Sequence, residues 1–580
     1  MQAKRKDRIR KKIGACVLAG SVPFGSVTAM TSHLIQRIDS RDDAIVALQD
    51  LPPGGAVSVN GKSWTIRERI PAKQKFAARD FAAGERVTMY GVTVGRTKSA
   101  VDAGRLLSTA NLAHDTDAFG GKQRDYAWAA PDVALWRTKT FDGFKRPDGP
   151  AGTANYWIVI PLVFCENRNL AFMREALVRA LGYGKTSPYE SFASHLVSLH
   201  QRGASAEEVE AAELAADNAA RSLRPFPNVD GVKFLEHGLG CGGTRRDAEA
   251  LCGLLAGYIN SPNVAGATVL SLGCQHAQVS LLESELAKRN AYFKKPLHVF
   301  EQQKSASERD MMQRAIKATF LGVAKANEQT RKPSPLSDLV MGVECGGSDG
   351  FSGISANPVI GHAADLLVAL GGAPVLSEFP ELCGIEQSLC DRCVSTDIAD
   401  KFVRLMRAYE GAAQSCGSGF DANPSPGNIR DGLITDAIKS AGAAKKGGTS
   451  PIVDVLDYPE TIAKRGGLSL YCTPGNDVES TTALAAGGCN MILFSTGLGT
   501  PTGNPVCPTL KISTNTSLAT RMADIIDFDT GPVITGEKSI ATMGEELFDL
   551  TIATASGKYV PKAVALGQDD FLPWKRGVSL

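Results

Sequence analysis

Beyond about residue 140, short apolar runs alternate with amphipathic stretches, a pattern that few folds satisfy. Such alternation is typical of α/β domains whose strands are mostly parallel. We therefore predict strands at residues 157–163, 267–272, 339–343, 374–377, 451–456, 468–471 and 491–495. We predict helices at residues 172–181, 246–259, 278–289, 308–326, 359–370 and 398–412.

The segment before this alternation has a different character. Residues 36–113 contain short β-type runs separated by glycines, which predicts a small β-rich domain. Residues 114–140 show little periodicity, and we interpret them as a linker. A chain of 580 residues is long enough for roughly two to four domains. The Gly- and Pro-containing stretch at 417–426 indicates one further boundary, so we predict α/β domains at 141–415 and 416–580.

The first 35 residues begin with a strongly basic stretch that precedes a mildly apolar run at 13–30. This arrangement superficially resembles a signal peptide. Pro23, Gly25 and Ser26 interrupt the apolar run, however, and no clear small-residue cleavage site follows. We interpret residues 1–35 as a basic N-terminal extension, and whether it belongs to the mature protein is left open.

The charge balance, the apolar runs and the cysteine content indicate which partners and which cellular location to expect. The 63 basic and 61 acidic side chains nearly cancel, and no basic stripe is interleaved with aromatic residues, so we expect no nucleic-acid partner. No run approaches the roughly 20 apolar residues that span a bilayer, so we expect no membrane partner. The thirteen cysteines are odd in number and scattered, which favours a reducing, cytoplasmic location. We therefore expect a small-molecule substrate as the partner, and we keep a homo-oligomer open as a second kind of partner.

Glycines recur beside potential ligands or bases, mostly after predicted strands, where open α/β sheets bind ligands. Such loops lie at residues 236–243, 273–276, 344–350 and 496–500, and the loop at 378–381 offers two carboxylates without a glycine. Glycine lets the backbone approach a ligand closely, and clustered amides can hold a carboxylate, so these loops suit an acid substrate. Cys241 and Cys345 are equally open to functional use or to none, whereas Cys274 more closely fits a buried small hydrophobe. No dinucleotide or phosphate-loop motif is present.

Several longer motifs resemble the altronate/galactarate dehydratase (UxaA) family. The most specific are CGGSDGFSGI at residues 345–354 and NPSPGN at residues 423–428. Further matches are RPDG at 146–149, SPNVAG at 261–266, LSE at 376–378 and TPG at 473–475. The β-rich front segment resembles the SAF domain of that family. The resemblance covers nearly the whole chain after residue 35, and it implies an α/β protein with a small SAF-like N-terminal domain followed by two α/β domains with mostly parallel sheets.

The resemblance implies a hydro-lyase that removes water from a sugar acid to give a 2-keto-3-deoxy acid. It also implies a divalent metal, most often Fe²⁺, with Mn²⁺ as the alternative. A base and a cation must cooperate in such a step, because the proton beside a carboxylate is only weakly acidic. Residue chemistry and motif position together suggest the candidates. Catalytic candidates are Glu378, Glu381 and His237. Substrate-binding candidates are Gly346, Gly347, Ser348, Asn423 and Asn428. Metal-ligand candidates are Cys241, Cys345 and Asp349, and an iron-sulfur cluster at cysteines 241, 274 and 345 is a minor variant.

The sequence departs from the family where chemistry is expected. Members typically carry Gly-His-Lys where this chain has Lys73-Gln74-Lys75, and a His-x-His-x-His-Asn run where it has residues 106–111 (LLSTAN). Ala154 and Leu498 stand in place of arginines, which weakens bidentate carboxylate recognition. Three readings remain: a dehydratase with an altered substrate, another lyase resembling the sulfolactate sulfo-lyases, or a non-catalytic binding or partner relative.

Overall fold

The computed structural model describes residues 34–184, 188–214 and 224–579. The predicted N-terminal extension therefore lies almost entirely outside the described residues. No helix in the described part of the chain has the length and apolar character needed to cross a membrane.

The front domain, residues 34–113, is built from short antiparallel strands, as expected. Its three sheets have the orders β1-β2-β5-β8, β3-β4 and β6-β7-β9. The strands are β1 (Ile35–Gln36), β2 (Ala44–Ala47), β3 (Ala56–Val59), β4 (Lys62–Thr65), β5 (Lys75–Ala77), β6 (Arg86–Met89), β7 (Val92–Thr97), β8 (Leu106–Leu107) and β9 (Leu112–Ala113). Asn60-Gly61 and Tyr90-Gly91 join hairpins, and all four residues have positive φ, as the two-residue turns that match strand twist require.

Residues 114–139, which lie within the segment interpreted as a linker, contain no regular helix or strand. They nevertheless pack on the protein: Trp136 is 2% exposed, and the indole of Trp128 donates to Thr449 Oγ1 at 3.1 Å. The chain then forms an antiparallel ribbon of β10 (Thr140–Gly143) with β15 (Lys332–Pro335).

The second domain has a four-stranded parallel sheet of order β12-β11-β13-β14. Its strands are β11 (Tyr156–Pro161), β12 (Gly231–Phe234), β13 (Val264–Ser271) and β14 (Leu297–Glu301). Its helices are α1 (Asn167–Ala180), α2 (Pro188–Gln201), α3 (Ala206–Glu210), α4 (Arg245–Asn260), α5 (Val279–Arg289) and α6 (Glu308–Ala326). β12 and β14 are not predicted from the sequence, because each is short and only partly buried.

The third domain has a seven-stranded parallel sheet of order β18-β19-β17-β16-β20-β21-β22. Its strands are β16 (Val340–Cys345), β17 (Ala373–Leu376), β18 (Ile452–Leu456), β19 (Leu468–Tyr471), β20 (Met491–Thr496), β21 (Thr509–Ser513) and β22 (Phe528–Asp529). Its helices are α7 (Ala356–Ala369), α8 (Glu386–Arg392), α9 (Thr396–Ser415), α10 (Pro426–Arg430), α11 (Asp436–Ala443), α12 (Asp477–Gly487), α13 (Thr516–Arg521), α14 (Gly531–Thr535), α15 (Ile540–Ala555) and α16 (Lys562–Leu566). Short 3-10 turns lie at Phe164–Glu166, Gln302–Lys304, Leu336–Asp338, Phe379–Leu382, Phe420–Ala422 and Ala444–Gly447.

The domain boundary predicted between residues 415 and 416 falls inside this seven-stranded sheet. β16 and β17 precede that point and the other five strands follow it, so one sheet spans it. The Gly- and Pro-containing stretch is a connection within the domain, because glycine and proline mark turns inside domains as readily as linkers between them.

Extensive packing joins the three parts of the described chain. One buried cluster combines front-domain side chains such as Met89 with third-domain side chains such as Phe351. A second combines α4 of the second domain with α12 of the third. A Cβ atom at Gly257 would lie 2.2 Å from the carbonyl oxygen of Ala486, so only glycine permits this close approach of the two helices.

Candidate active site

Three predicted residues meet at the carboxyl ends of β16 and β17. Cys345 ends β16, and Glu378 and Glu381 follow β17. A thiol and two carboxylate oxygens, one from each residue, lie within 4.8 Å of one another, and all three residues are buried. The Cys345 Sγ atom is 3.3 Å from Glu381 Oε2 and 3.8 Å from Glu378 Oε2. Parallel strands end at the same edge of a sheet, and this brings together residues more than 30 positions apart in the sequence.

The backbone at Glu378 is in the left-handed region, with φ 65° and ψ 62°. This conformation costs a non-glycine residue about 1–2 kcal/mol, and such strain is often found at functional sites. The Glu378 N–H donates to Thr473 Oγ1 at 2.8 Å, which holds the strained residue. The 3-10 turn Phe379–Leu382 then carries Glu381 back toward Cys345.

Two buried lysines balance the two carboxylates. Lys446 Nζ lies 2.7 Å from Glu378 Oε2 and 2.8 Å from Cys345 Sγ. Lys439 Nζ lies 2.6 Å from Glu381 Oε1. Asn423 links the second pair, since it donates to Glu381 Oε1 at 3.1 Å and accepts from Lys439 at 2.6 Å.

A third carboxyl group, Glu344, lies behind Glu378. Glu344 is fully buried, and its Oε2 accepts hydrogen bonds from Ser377 at 2.8 Å and Ser480 at 2.7 Å. Oε1 of Glu344 and Oε1 of Glu378 both lack a donor among the described residues. Burial and the nearby Glu378 charge raise the pKa of Glu344 well above its usual value, so Glu344 keeps its proton. That proton satisfies both oxygens in a hydrogen bond from Glu344 to Glu378.

The environments of the carboxyl groups separate their pKa values. Burial disfavours the Glu381 carboxylate, but the charges of Lys439 and Lys446 outweigh it and lower the pKa of Glu381. Burial, followed by the Glu381 charge, raises the pKa of Glu378. Burial and the charges of Glu378 and Glu381 raise the pKa of Asp477 to about 7. Such separation assigns acid and base roles in enzymes: Glu381 is suited to be a base and Asp477 an acid.

Asp477 and the glycine loop border this cluster. A Cβ atom at Gly346 would lie 1.9 Å from the Asp477 carboxylate, so the absence of a side chain admits Asp477. Gly347 has φ 59° and lies beside Thr496, which ends β20, and Thr500 of the following loop. Asp477, Gly347, Gly475 and Asn423 are partly exposed, so the cluster opens to solvent on this side.

Asn428 and Ser348, which were also predicted to bind substrate, form hydrogen bonds within the protein instead. Asn428 forms a capping box with Ser425 at the start of α10, and its amide donates to the carbonyl oxygen of Ser348 at 2.8 Å. Within the predicted substrate set, Asn423 is the residue hydrogen-bonded to this cluster, through Glu381 and Lys439.

Asp349, predicted as a metal ligand, belongs to a contact between the front and third domains. Its carboxylate is fully buried and accepts from Lys73 Nζ at 2.9 Å, Thr514 Oγ1 at 3.1 Å and Ser352 Oγ at 3.2 Å. Lys73 has φ 74°, a conformation that glycine adopts more readily than lysine. The neighbouring Lys75 is buried, and burial lowers its pKa to about 7.

His237 and Cys241 lie in the second domain. The ring of His237 donates from Nε2 to the Pro161 carbonyl at 2.8 Å, and its Nδ1 accepts from the Leu239 N–H at 3.2 Å. Burial lowers the pKa of His237 to about 4, so it is a neutral residue with both nitrogens used. Cys241 is exposed and lines a separate cavity of about 260 Å³ with His276.

The structure thus does not bring the predicted metal ligands Cys241, Cys345 and Asp349 together. Within the described residues, the potential ligand groups are Cys345 with Glu378 and Glu381, and His114 with Cys383 and Asp436. Cys241 and Cys274 are exposed whereas Cys345 is buried, and no described group of potential ligands combines these three cysteines.

The Cys345 cluster offers suitable donor atoms for a first-row metal ion, but its charge is already balanced. Lys446 and Lys439 neutralise the two carboxylates. Burial raises the pKa of Cys345 well above its usual value, so the thiol, like Glu344, is neutral. A divalent ion would displace the thiol proton of Cys345 and would still add one uncompensated buried charge, which is costly. The cluster as it stands does not fit such an ion.

Sequence reasoning missed Glu344, Lys439 and Lys446. Lys446 follows Lys445 in a basic pair before two glycines, a pattern that resembles a solvated surface turn. Lys439 sits on α11, eight residues of mainly small side chains. Their only sequence signal is that each lies within a long stretch of small and apolar residues, where a lysine needs a buried partner.

Three family models match the chain. Residues 33–115 match the altronate/galactarate dehydratase SAF domain. Residues 143–327 match the second domain of D-galactarate dehydratase/altronate hydrolase, and residues 336–579 match the C-terminal domain of D-galactarate/altronate dehydratase.

Similar proteins cover most of the chain. The altronate dehydratase of Escherichia coli (strain K12) is 32% identical over 526 residues, which are 90% of this chain and 95% of that protein. The altronate dehydratase of Bacillus subtilis (strain 168) is 30% identical over 527 residues, 90% of this chain and 95% of that protein. The (2R)-sulfolactate sulfo-lyase subunit beta of Chromohalobacter salexigens is 33% identical over 253 residues, 43% of this chain and 64% of that protein.

Proposed function

The chain belongs to the D-galactarate/altronate dehydratase family, and we propose on this basis that it is a hydro-lyase that removes water from a sugar acid to give a 2-keto-3-deoxy acid. The observation that carries the proposal is the buried set of Glu378 and Glu381 with Lys446 and Lys439. It provides an ionised base beside fixed positive charge, which proton removal next to a carboxylate requires.

In this mechanism Glu381 removes the proton from the carbon next to the substrate carboxylate. The pKa of Glu381 is lowered by Lys439 and Lys446, so the base is ionised at neutral pH. The electron pair left on carbon spreads into the carboxylate as an enediolate. The ammonium groups of Lys439 and Lys446, which are themselves buried, stabilise that charge, because electrostatic interactions between buried groups are strong.

Asp477 completes the elimination as the acid. Its pKa of about 7 leaves it partly protonated at neutral pH, and it lies on the partly exposed side of the cluster. As the enediolate collapses, the neighbouring C–O bond breaks, and the Asp477 proton passes to the departing hydroxyl to give water. The resulting enol converts to the 2-keto acid. The balanced charge of the site supports lysines, in place of Fe²⁺ or Mn²⁺, as the cations of this step.

The test is an anaerobic activity screen on aldonates, aldarates and sulfolactate, with and without added Fe²⁺ or Mn²⁺. We expect a 2-keto acid from one of the sugar acids without added metal ion. Glu381→Gln should abolish its formation, whereas Glu328→Gln, a control at an exposed ion pair with Lys325, should not change it. Equal activity of the two variants would exclude Glu381 as the base, and strict dependence on added metal ion would exclude the lysine-only site.

The similarity to a sulfolactate sulfo-lyase subunit favours one second candidate, elimination of sulfite. The proton is removed in the same way, but sulfite departs without protonation. Asp477→Asn therefore separates the two reactions: it should suppress release of water from a sugar acid and spare release of sulfite from sulfolactate. Sulfite release by the unaltered protein, insensitive to Asp477→Asn, would replace dehydration as the proposed function.

A further inference from the structure

A second group of potential ligands lies where the front and third domains meet. His114 follows β9, Cys383 follows the 3-10 turn Phe379–Leu382, and Asp436 is the first residue of α11. One ligand atom from each of these residues lies within 4.8 Å of the others. Nδ1 of His114 contacts Oδ1 of Asp436 directly.

Asp436 leaves part of its bonding capacity unused in a buried position. Its side chain is 2% exposed. Oδ1 also accepts from the Ala437 N–H at 2.9 Å, whereas Oδ2 receives no N–H or O–H donor within the described chain. The remaining side-chain hydrogen bond to Asp436 comes from the Cys383 thiol, which is a weak donor, so this buried carboxylate is poorly satisfied and favours a stronger partner.

The charges around this group are predominantly negative, in contrast to those around Cys345. Burial raises the pKa of Glu386 to about 7, and the charges of Glu410 and Asp436 add to the effect. Burial and then the charges of Asp436 and Glu386 raise the pKa of the Cys383 thiol. His114, whose side chain is 34% exposed, contacts Asp436, and this hydrogen bond raises the pKa of its imidazole. An ion with two positive charges would relieve this excess.

We propose that His114, Cys383 and Asp436 bind a divalent transition-metal ion of the zinc class, with water completing its coordination. One imidazole, one thiolate and one carboxylate are ligands that Zn²⁺ takes in proteins. Binding releases the proton of Cys383 to solvent and any proton carried on Nδ1 of His114. The exposed edge of His114 provides the path for the ion.

The position of this site allows it to hold Glu381 and Lys439 in place. Asp436 lies three residues before Lys439 on α11, and Cys383 lies two residues after Glu381. The ion therefore joins the two segments that carry Glu381 and Lys439, and it attaches both, through His114, to the segment that follows β9. A Cβ atom at Gly384 would lie 2.8 Å from Thr116 Cγ2 and 3.0 Å from Ala437 Cβ, so the three segments already pack closely.

Titration of the full-length apoprotein with Co²⁺ tests the site without relying on activity, because Co²⁺ bound to a thiolate absorbs strongly in the near ultraviolet. We expect one equivalent of Co²⁺ with this absorption, displaced by Zn²⁺. Cys383→Ser should abolish the absorption. His114→Gln, a change at an exposed position, should weaken binding more than about 10-fold, since loss of even an outer-shell partner costs that much.

Two cysteine variants serve as controls. Cys416→Ser removes an exposed thiol elsewhere and should leave the titration unchanged. Cys345→Ser removes the thiol of the catalytic cluster and should also leave it unchanged. The proposal is overturned if the unaltered protein gives no thiolate absorption, if His114→Gln binds Co²⁺ as tightly as the unaltered protein, or if Cys345→Ser loses the absorption that Cys383→Ser retains.

Discussion

Lys446 and Glu378 form an ion pair inside the third domain: Nζ and Oε2 are 2.7 Å apart, and each side chain is 1% exposed. The pair also positions Cys345, whose Sγ lies 2.8 Å from the same Nζ. Removing one member of a buried pair leaves the other charge uncompensated in a medium that solvates it poorly. The site is therefore sensitive to any change in its count of charges.

For this reason, we expect Lys446→Met to lower the free energy of unfolding by about 3–5 kcal/mol. Lys401→Met is the control, because its pair with Glu460 is 30% and 47% exposed and should contribute at most about 1 kcal/mol. Urea unfolding at neutral pH measures both. Similar losses in the two variants would contradict the buried pair as described.

Lys439 controls the ionisation of Glu381. Because Lys439 is the largest influence that lowers the pKa of Glu381, Lys439→Met leaves burial opposed mainly by the weaker influence of Lys446, and the pKa rises. A base must be ionised to act, so the acidic limb of the pH profile of kcat/KM should move to higher pH. Lys439→Arg keeps the charge and should keep the limb close to its original position. An acidic limb that does not move in Lys439→Met would exclude Glu381 as the titrating base.

Glu344 should make stability depend on pH. Its pKa is raised in the folded protein, so the folded state holds a proton that the unfolded state releases above about pH 4.3. Stability from this group is complete below that pH and is lost as pH rises toward the folded value, by up to about 1.4 kcal/mol per pH unit. Glu344→Gln cannot titrate, and its amide can still donate to Glu378.

We therefore expect Glu344→Gln to gain stability relative to the unaltered protein as pH rises from about 5 to about 8. Denaturant unfolding across this range gives the difference directly. Glu328→Gln, at an exposed pair, should show no such trend. A difference that is constant with pH would mean that Glu344 is ionised in the folded protein.

Lys73 combines an unfavourable backbone conformation with a favourable ion pair. Lys73→Met should lower the free energy of unfolding by about 2–3 kcal/mol, less than for a fully buried pair, because Lys73 is 22% exposed while Asp349 is 0% exposed. Lys73→Gly loses the same pair but relieves the φ of 74°, so it should be less destabilised than Lys73→Met by about 1 kcal/mol. Thermal unfolding of the two variants gives the comparison. Equal loss would argue against backbone strain at this position.

Local patterns in the sequence were sufficient for the fold class and for much of the secondary structure. The predicted strands at 339–343 and 468–471 match β16 and β19, and the predicted helix at 308–326 matches α6. Apolar periodicity reports burial directly, so it identifies long, well-buried elements. It does not identify short or partly buried strands such as β14 and β22.

The glycine loops and carboxylates at the strand ends were also recognisable, and Cys345, Glu378 and Glu381 do meet. The sequence did not show, however, which of these loops share a site. The loops at 236–243 and 273–276 follow strands of the second domain. The loops at 344–350, 378–381 and 496–500 follow strands of the third domain. Strand order depends on long-range pairing, which local residue patterns do not contain.

By itself, the sequence determined that this is an α/β chain with a β-rich front domain and a family relationship visible in its motifs. Only the tertiary structure decided the charges of the site. It pairs Lys446 with Glu378 and Lys439 with Glu381. It also pairs Lys73 with Asp349 and buries Asp436 beside His114. The physical reason is that the pKa of an ionisable group, and hence its role, depends on burial and on neighbouring charges that are distant in sequence.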